Sequence, residues 1–316
     1  MVWLYAGLGL IILLLAGDAL VRGAVNLALR LGIPALIVSL TIVAFGTSAP
    51  ELLISIQAVL KGVPGIAIGN VVGSNTANIL LVLGFPAILA VLHTSSCESR
   101  KSFKQMIVAS LVFIALAFRG VFDIYSGTIL LTMLAYILIH AVNDAKNHRR
   151  ACGNGSNEDE PEGADPDMPW WKIMVFLGLG LIGLPLGADL LIDSAEILAR
   201  RFGVSESVIG LTLVALGTSL PELATTTMAA LRRQADVALG NVIGSNMFNL
   251  LAIIGIASFV GPLPVDPSFL CFDLWVMLGA SILLVPFVFF KQDINRVWGI
   301  ALTLLYVLYI VCVFLF

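Results

Sequence analysis

Residues 46–51 read GTSAPE, and residues 217–222 read GTSLPE. The second is the first displaced by 171 positions, and the likeness spreads outward from it. Residues 41–84 align with 212–255 without a break, with 21 identities in 44 positions, so that GNVVGSNTAN at 69–78 meets GNVIGSNMFN at 240–249. Beyond that block, Asp18 meets Asp189. Chance does not produce so long an unbroken match, and the chain reads as two copies of one unit.

Composition says where such a unit lives. Of 316 residues, 59% are hydrophobic and 12% charged, and the mean hydropathy is +1.03, which leaves too few polar side chains to cover a water-exposed surface. The sequence reads as an all-α membrane protein. Ten stretches approach the roughly 20 apolar residues that a helix needs to cross a hydrocarbon core: 2–24, 33–60, 66–92, 103–119, 122–142, 170–198, 203–231, 236–260, 270–290 and 294–316. The first has no basic leader and no small-residue cleavage site, so it reads as a helix rather than a signal peptide. Of the 17 Lys and Arg, 13 fall in loops after odd-numbered spans, and four (Lys61, Arg119, Arg200, Arg201) fall on the other side. The positive-inside rule makes the richer side cytoplasmic and places both termini outside a cell (inner) membrane.

An acidic connector at 143–169, containing NGSNEDEPEGADPD, divides a first repeat at 1–142 from a second at 170–316. It reads as a solvated cytoplasmic linker, because it lacks the glycine-centred ligand spacing of a calcium-binding loop. Cys97, Cys152, Cys271 and Cys312 form no CxxC pair and read as structural, with a pairing of Cys271 and Cys312 left open. Five spans per copy is an odd number, so the second copy must enter the membrane from the opposite side. The expected architecture is two inverted five-helix repeats, as in many secondary transporters.

The repeated glutamate can now be placed. Glu51 lies about ten residues from the outer end of its span, on the order of 15 Å along a helix, which is close to the bilayer midplane. Glu222 takes the mirrored place. An unpaired carboxylate at that depth costs several kcal/mol, and the three histidines, His93, His140 and His148, all fall near cytoplasmic ends. What neutralises the two acids must come from outside the chain, as cations or protons. Pro50 has no N–H, so the carbonyl four residues back loses its partner and free carbonyls are expected around Ala44 to Gly46. Thr47 and Ser48 precede Glu51 by four and three residues, which brings their hydroxyls toward it on a helix. Asn70, Ser74 and Asn78 line a second row at i, i+4 spacing, and Asn241, Ser245 and Asn249 repeat it. All are hard oxygen donors without a thiol or imidazole, which suits Ca²⁺ or an alkali ion and disfavours zinc or copper.

Plainer readings compete for some of these residues. Asn75 and Asn246 serve equally well as hydrogen-bond glue between helices, and Gly69xxxGly73 and Gly240xxxGly244 as close-packing faces. Asp18 and Asp189 read either as solvated helix ends or as an ion vestibule, and Trp170 with Trp171 as an interfacial anchor. For the two glutamates a purely structural reading is hard to sustain.

The doubled pair of motifs resembles the two alpha repeats of the cation/calcium exchanger superfamily, on its sodium/calcium exchanger branch of prokaryotic type. The resemblance covers essentially the whole chain, with detailed matching confined to the two 44-residue blocks. It implies antiport of Ca²⁺ against Na⁺ by alternating access, with the first and sixth spans sliding across a rigid core of eight. It also implies a ligand set: Glu51 and Glu222, the hydroxyls of Thr47, Ser48, Thr218 and Ser219, the backbone carbonyls of Ala44 and Ala215, Ser74 and Ser245, and the side chains of Asn78 and Asn249. One departure stands out, since some family members carry aspartate where this chain has Asn78 or Asn249, leaving two formal charges in place of three. A proton/calcium exchanger would use the same glutamates, although that branch typically carries a further glutamate in its GN motif. A channel is disfavoured by proline-broken helices in an inverted repeat. An intramembrane protease would need a base beside Ser48 or Ser219, and none lies at that depth. The expected protein is a transporter and not an enzyme. Its substrates are ions and its surroundings lipid; no cofactor, nucleic acid or obligatory protein partner is called for.

Overall fold

The apolar runs of the sequence fold as helices. The computed structural model describes residues 2–97, 99–151, 165, 167–201 and 215–315, and these are almost wholly helical, with one two-stranded ribbon pairing Val121–Phe122 and Leu263–Pro264. We number the helices α1 (Val2–Leu31), α2 (Ala35–Thr47), α3 (Ala49–Leu60), α4 (Pro64–Leu89), α5 (Arg100–Ala117) and α6 (Ile124–Ala151). After the connector come α7 (Trp170–Arg201), α8 (Ala215–Thr218), α9 (Leu220–Leu231), α10 (Ala235–Val260), α11 (Pro267–Phe289, interrupted by turns) and α12 (Arg296–Leu315). Seven of them, α1, α4, α6, α7, α10, α11 and α12, are long and apolar enough to cross a membrane, and α2 with α3, bent by 42° between them, makes an eighth candidate. Of the other expected spans, α5 opens with Arg100, Lys101 and Lys104, which lowers its apolar character. Residues 202–214, which include the first part of the expected span 203–231, lie outside the described residues, as does most of the acidic connector. Cys271 and Cys312 are not paired with each other, and Cys152 lies outside the described residues.

Burial sorts the helices into a centre and a rim. The apolar windows of α4 and α10 are 78% and 89% buried, against 28% for α7 and 17% for α12, so α4 and α10 form the core and carry the GN motifs into it. Small residues let that happen: a methyl group on Gly240 would stand 2.8 Å from the Leu36 carbonyl oxygen, and one on Gly244 2.5 Å from that of Leu40. Backbones in such close approach gain dispersion energy where no hydrophobic drive separates protein from lipid. Gly240 and Gly244 are therefore a packing face. The corresponding partners of Gly69 and Gly73, residues 207 and 211, fall outside the described residues.

The two copies also end their broken helices alike. After α3 the chain turns through Gly62 at φ +75°, with the Val63 amide reaching back to the Ala58 carbonyl at 2.9 Å; after α9 it turns through Arg233 at φ +56°, with Gln234 reaching Ala229 at 2.8 Å. These are left-handed helix caps that favour glycine. The second copy makes the same cap with a residue that has a side chain to strain.

Candidate ion site

Each GTSxPE motif breaks its helix at the serine. Ser48 has φ −85° and ψ 6°, Ser219 φ −86° and ψ 2°, and both are followed at once by a fresh helix with proline in its first two positions. Proline is suited to that place because its missing N–H would lack a helical partner anyway. The break sets Glu51 and Glu222 in the first turns of α3 and α9, where the unpaired amide ends favour negative charge. Both are deeply enclosed, at 1% and 0% exposure. No Lys, Arg or His is buried among the described residues, so neither acid has a cationic side chain to pair with.

The central helices complete the enclosure. Asn70 on α4 donates to the Glu51 carbonyl and the Ser55 hydroxyl, both at 3.2 Å, and Asn241 on α10 does the same to the Glu222 carbonyl at 3.5 Å and Thr226 at 3.2 Å. These two asparagines thus hold the glutamate-bearing turns in place. Ser55 and Thr226 are not singled out by the sequence reading, although they occupy one repeat position and both carry a hydroxyl. Asn75 and Asn246 exchange side-chain amide bonds with each other's backbone carbonyls, at 3.2 and 3.4 Å. Residues 171 apart that meet reciprocally mark the axis relating the copies, and here the structural alternative for both is the one seen. Asn78 and Asn249 each open a π-helical turn, Asn78–Val82 and Asn249–Ile253. Such turns widen a helix locally and recur at functional sites.

Two expectations change in detail. Helical spacing puts the hydroxyls of Thr47 and Ser48 beside Glu51 on one turn. Because the helix breaks at Ser48, they turn across to the other copy: Ser48 donates to Glu222 Oε1 at 3.3 Å, and Thr47 lies 3.3 Å from Asn241 Oδ1 and 3.4 Å from the Ser245 hydroxyl. The Ala44 carbonyl, expected free, accepts the Ser48 amide at 3.1 Å and the Thr47 hydroxyl at 3.2 Å. The break one residue before Ala49 leaves room for both. Ala215 begins α8 at the same repeat position.

The site is unequal in its two halves. Glu222 Oε1 also accepts from Ser245 at 3.5 Å, and Asn78 donates to Asn246 Oδ1 at 3.0 Å. In contrast, both carboxylate oxygens of Glu51, the hydroxyls of Thr218 and Ser219, and the whole Asn249 amide have no hydrogen-bond partner among the described residues, and neither do Glu222 Oε2 and Asn78 Oδ1. Buried polar atoms are ordinarily satisfied, and Asn75 Oδ1, Ser99 Oγ and Gln234 Nε2 are further exceptions, but so many orphans within the two repeated motifs point to a place built for something else to bind. Ser74, on α4, is buried at 3% exposure. Among the described residues no cluster of three or more His, Cys, Asp and Glu side chains gathers, so two carboxylates and neutral oxygens make up the donor set. That set matches the hard, oxygen-rich shell of Ca²⁺ or an alkali ion.

A cavity of about 270 Å³ lies beside this point, lined by Pro50 and Ile54, Ala188 and Asp189 of α7, and Thr218 and Pro221. Asp189 therefore faces a cleft, whereas its repeat mate Asp18 is paired with Arg22 and Arg232.

Known proteins share this plan. A family model described as sodium/calcium exchanger protein matches residues 1–143 and 172–315. The sodium/calcium exchanger MaX1 of Methanosarcina acetivorans is 33% identical, over 97% of each chain, and the putative antiporter CaxA of Alkalimonas amylolytica is 36% identical, over 95% of each. Among solved structures, the sodium-calcium exchanger NCX_Mj soaked with zero Na⁺ and Ca²⁺ superposes with a TM-score of 0.83 at 32% identity, covering 99% of this chain and 100% of that one. The same exchanger soaked with 2.5 mM Na⁺ and 1 mM Sr²⁺ gives 0.82, covering 97% and 96%. With the doubled motif, the buried acids and these likenesses together, the chain belongs to the sodium/calcium exchanger family of membrane cation antiporters.

Proposed function

We propose that the protein exchanges Ca²⁺ for Na⁺ across the cell membrane by alternating access. The observation that carries this reading is the pair of enclosed carboxylates, Glu51 and Glu222, with no buried cationic partner among the described residues and with orphaned neutral oxygens in the same motifs. Two negative charges in a low-dielectric interior are balanced by one Ca²⁺ or by two Na⁺, so each substrate neutralises the site that the other leaves. The oxygens of Thr47, Ser48, Ser74 and Asn78, those of Thr218, Ser219, Ser245 and Asn249, and the Ala215 carbonyl complete the shell, and the Ala44 carbonyl joins it once the Thr47 hydroxyl that it accepts here turns to the ion. The exchange runs on the ion gradients alone, without a cofactor. Asn78 and Asn249 keep the site at two formal charges, so a third Na⁺ would make it net positive.

In this reading ten spans form two inverted five-helix repeats, 1–142 and 170–316, joined by the cytoplasmic connector 143–169. Both ends of the chain then lie outside. The ribbon between 121–122 and 263–264 supports the arrangement, since both segments belong to loops assigned to the outer side, and the bridge between Leu92 and Ile294 joins two assigned to the inner side.

The test is transport in proteoliposomes. A Na⁺ gradient imposed at clamped pH should drive Ca²⁺ uptake, and Li⁺ or K⁺ should replace Na⁺ poorly. Ca²⁺ flux driven by a pH gradient in sodium-free vesicles, with no response to Na⁺, would overturn Na⁺ coupling in favour of protons.

A further inference from the structure

Helices α1 and α7 occupy the same place in the two repeats, yet they sit differently against the broken helix of the other copy. Toward one end, α1 presses on α9: a methyl group on Gly17 would stand 3.1 Å from the Ala224 backbone. Asp18 fastens that junction, because its carboxylate pairs with Arg22 at 3.0 Å and with Arg232, the residue directly after α9. The Asp18 and Arg232 side chains are 19% and 16% exposed, enough enclosure to escape most screening by salt.

The displacement of 171 carries Gly17 to Ala188, Ala224 to Leu53, Asp18 to Asp189 and Arg232 to Lys61. Of these counterparts, Ala188, Asp189 and Leu53 are parted by the 270 Å³ cleft. One set of repeat positions is thus shut at one end of the molecule and open at the other. The two ends cannot act separately, because α1 and α7 are seamed together. A methyl on Gly9 would fall 2.8 Å from the Leu191 amide, one on Gly180 2.8 Å from the Leu20 Cα, and one on Gly187 2.9 Å from the Leu13 amide. Helices whose backbones touch over that length move as one body.

Resting on the exchanger reading above, we propose that Asp18 and Arg232 are the cytoplasmic latch of the transport cycle, and that Asp189 and Lys61 are its reciprocal partner on the outer side. Lys61 stands eight residues beyond Leu53, as Arg232 stands eight beyond Ala224, so closing the outer cleft brings Lys61 toward Asp189. The ion pair seen here holds the state whose outer cleft is open. Swinging the α1–α7 unit breaks it and makes the other, and neither pair touches the transported ion.

Thiol labelling in a full-length, cysteine-free background tests this without an ion gradient. Ile54→Cys reports the outer cleft to an impermeant reagent in intact cells, and Met228→Cys reports the α1–α9 junction in inside-out vesicles. Asp18→Asn and Arg232→Gln should each slow labelling at 54 and speed it at 228, by a factor of about 5 to 30 for the loss of one partly enclosed pair. Lys61→Gln should leave labelling at 54 undiminished and slow it at 228. Rates at 54 and 228 that both rise, or that both stay unchanged, on breaking the Asp18 pair would overturn the latch, the former by showing a merely loosened fold. Failure of Lys61→Gln to slow labelling at 228 would overturn the reciprocal half, and so would protection of Ile54→Cys in the otherwise wild-type chain. Absence of Na⁺-driven Ca²⁺ flux sinks the exchanger reading instead and leaves this labelling pattern standing.

Discussion

Replacing Glu51 by glutamine keeps the shape of the side chain and removes one of two charges from an enclosed site. The size of the effect follows from that enclosure. A divalent ion about 4 Å from a unit charge, at an effective dielectric constant of about 20, is attracted by about 8 kcal/mol. Desolvation of ion and carboxylate offsets much of this, and if only a quarter survives, about 2 kcal/mol remains, on the order of a 30-fold loss in affinity. For Na⁺ the same arithmetic gives half the energy. Ca²⁺ should therefore suffer more than Na⁺, and near the wild-type half-saturating concentration, Ca²⁺ uptake by Na⁺-loaded proteoliposomes should fall to background for Glu51→Gln. Glu222→Gln should do the same. Its Oε1 already accepts from Ser48 and Ser245, which a glutamine oxygen can still do, so that variant should fold and insert normally. Either variant retaining half of wild-type Ca²⁺ transport would refute the assignment.

Two other perturbations probe the frame around the site. Arg233→Gly relieves a left-handed cap where the first copy already uses Gly62, and should raise the midpoint of thermal unfolding in detergent by the equivalent of about 1 kcal/mol, since a non-glycine residue in that region costs about 1–3 kcal/mol; an unchanged or lowered midpoint would show the strain is absent. A cysteine placed between residues 153 and 164 of the connector, in a cysteine-free chain, should resist an impermeant reagent in intact cells and react once they are opened, whereas labelling of intact cells would overturn the assigned orientation.

Much of this was legible because the chain is written twice. A single GTSxPE could be an accident, but two of them 171 residues apart, each with a GN motif behind it, mark out which residues matter. The helix break, the buried glutamates and the hydroxyl-rich turn all follow from proline chemistry and hydrophobic patterning. The partners of those groups were not legible. Helical spacing points Ser48 at Glu51, while the break at Ser48 directs its hydroxyl to Glu222 in the other copy. The π-helical turns at Asn78 and Asn249 also escape a 3.6-residue reading, because an inserted residue changes the hydrogen-bond step without changing composition. Arg233 in a left-handed cap is visible only by aligning it with Gly62.

The largest thing the repeat conceals is that its copies are not in the same state. Sequence symmetry predicts that Ser219 should meet Glu51 as Ser48 meets Glu222, yet the side-chain oxygens of Ser219, Thr218 and Glu51 have no hydrogen-bond partners among the described residues. The same inequality appears 171 residues apart at the helix ends, where Asp18 is paired and Asp189 faces a cleft. Both differences fall on one side of the molecule, where α7 stands away from α3, and so they have one cause. Two copies of one sequence related by an axis through Asn75 and Asn246 have two equivalent ways to be unequal. Under the alternating access proposed above, exchanging the conformations of the copies turns one into the other, and an interaction that one repeat gives up forms again wherever its mate carries a matching residue. On that reading the balance between the two arrangements shifts where the sequences differ, as at Arg232 and Lys61.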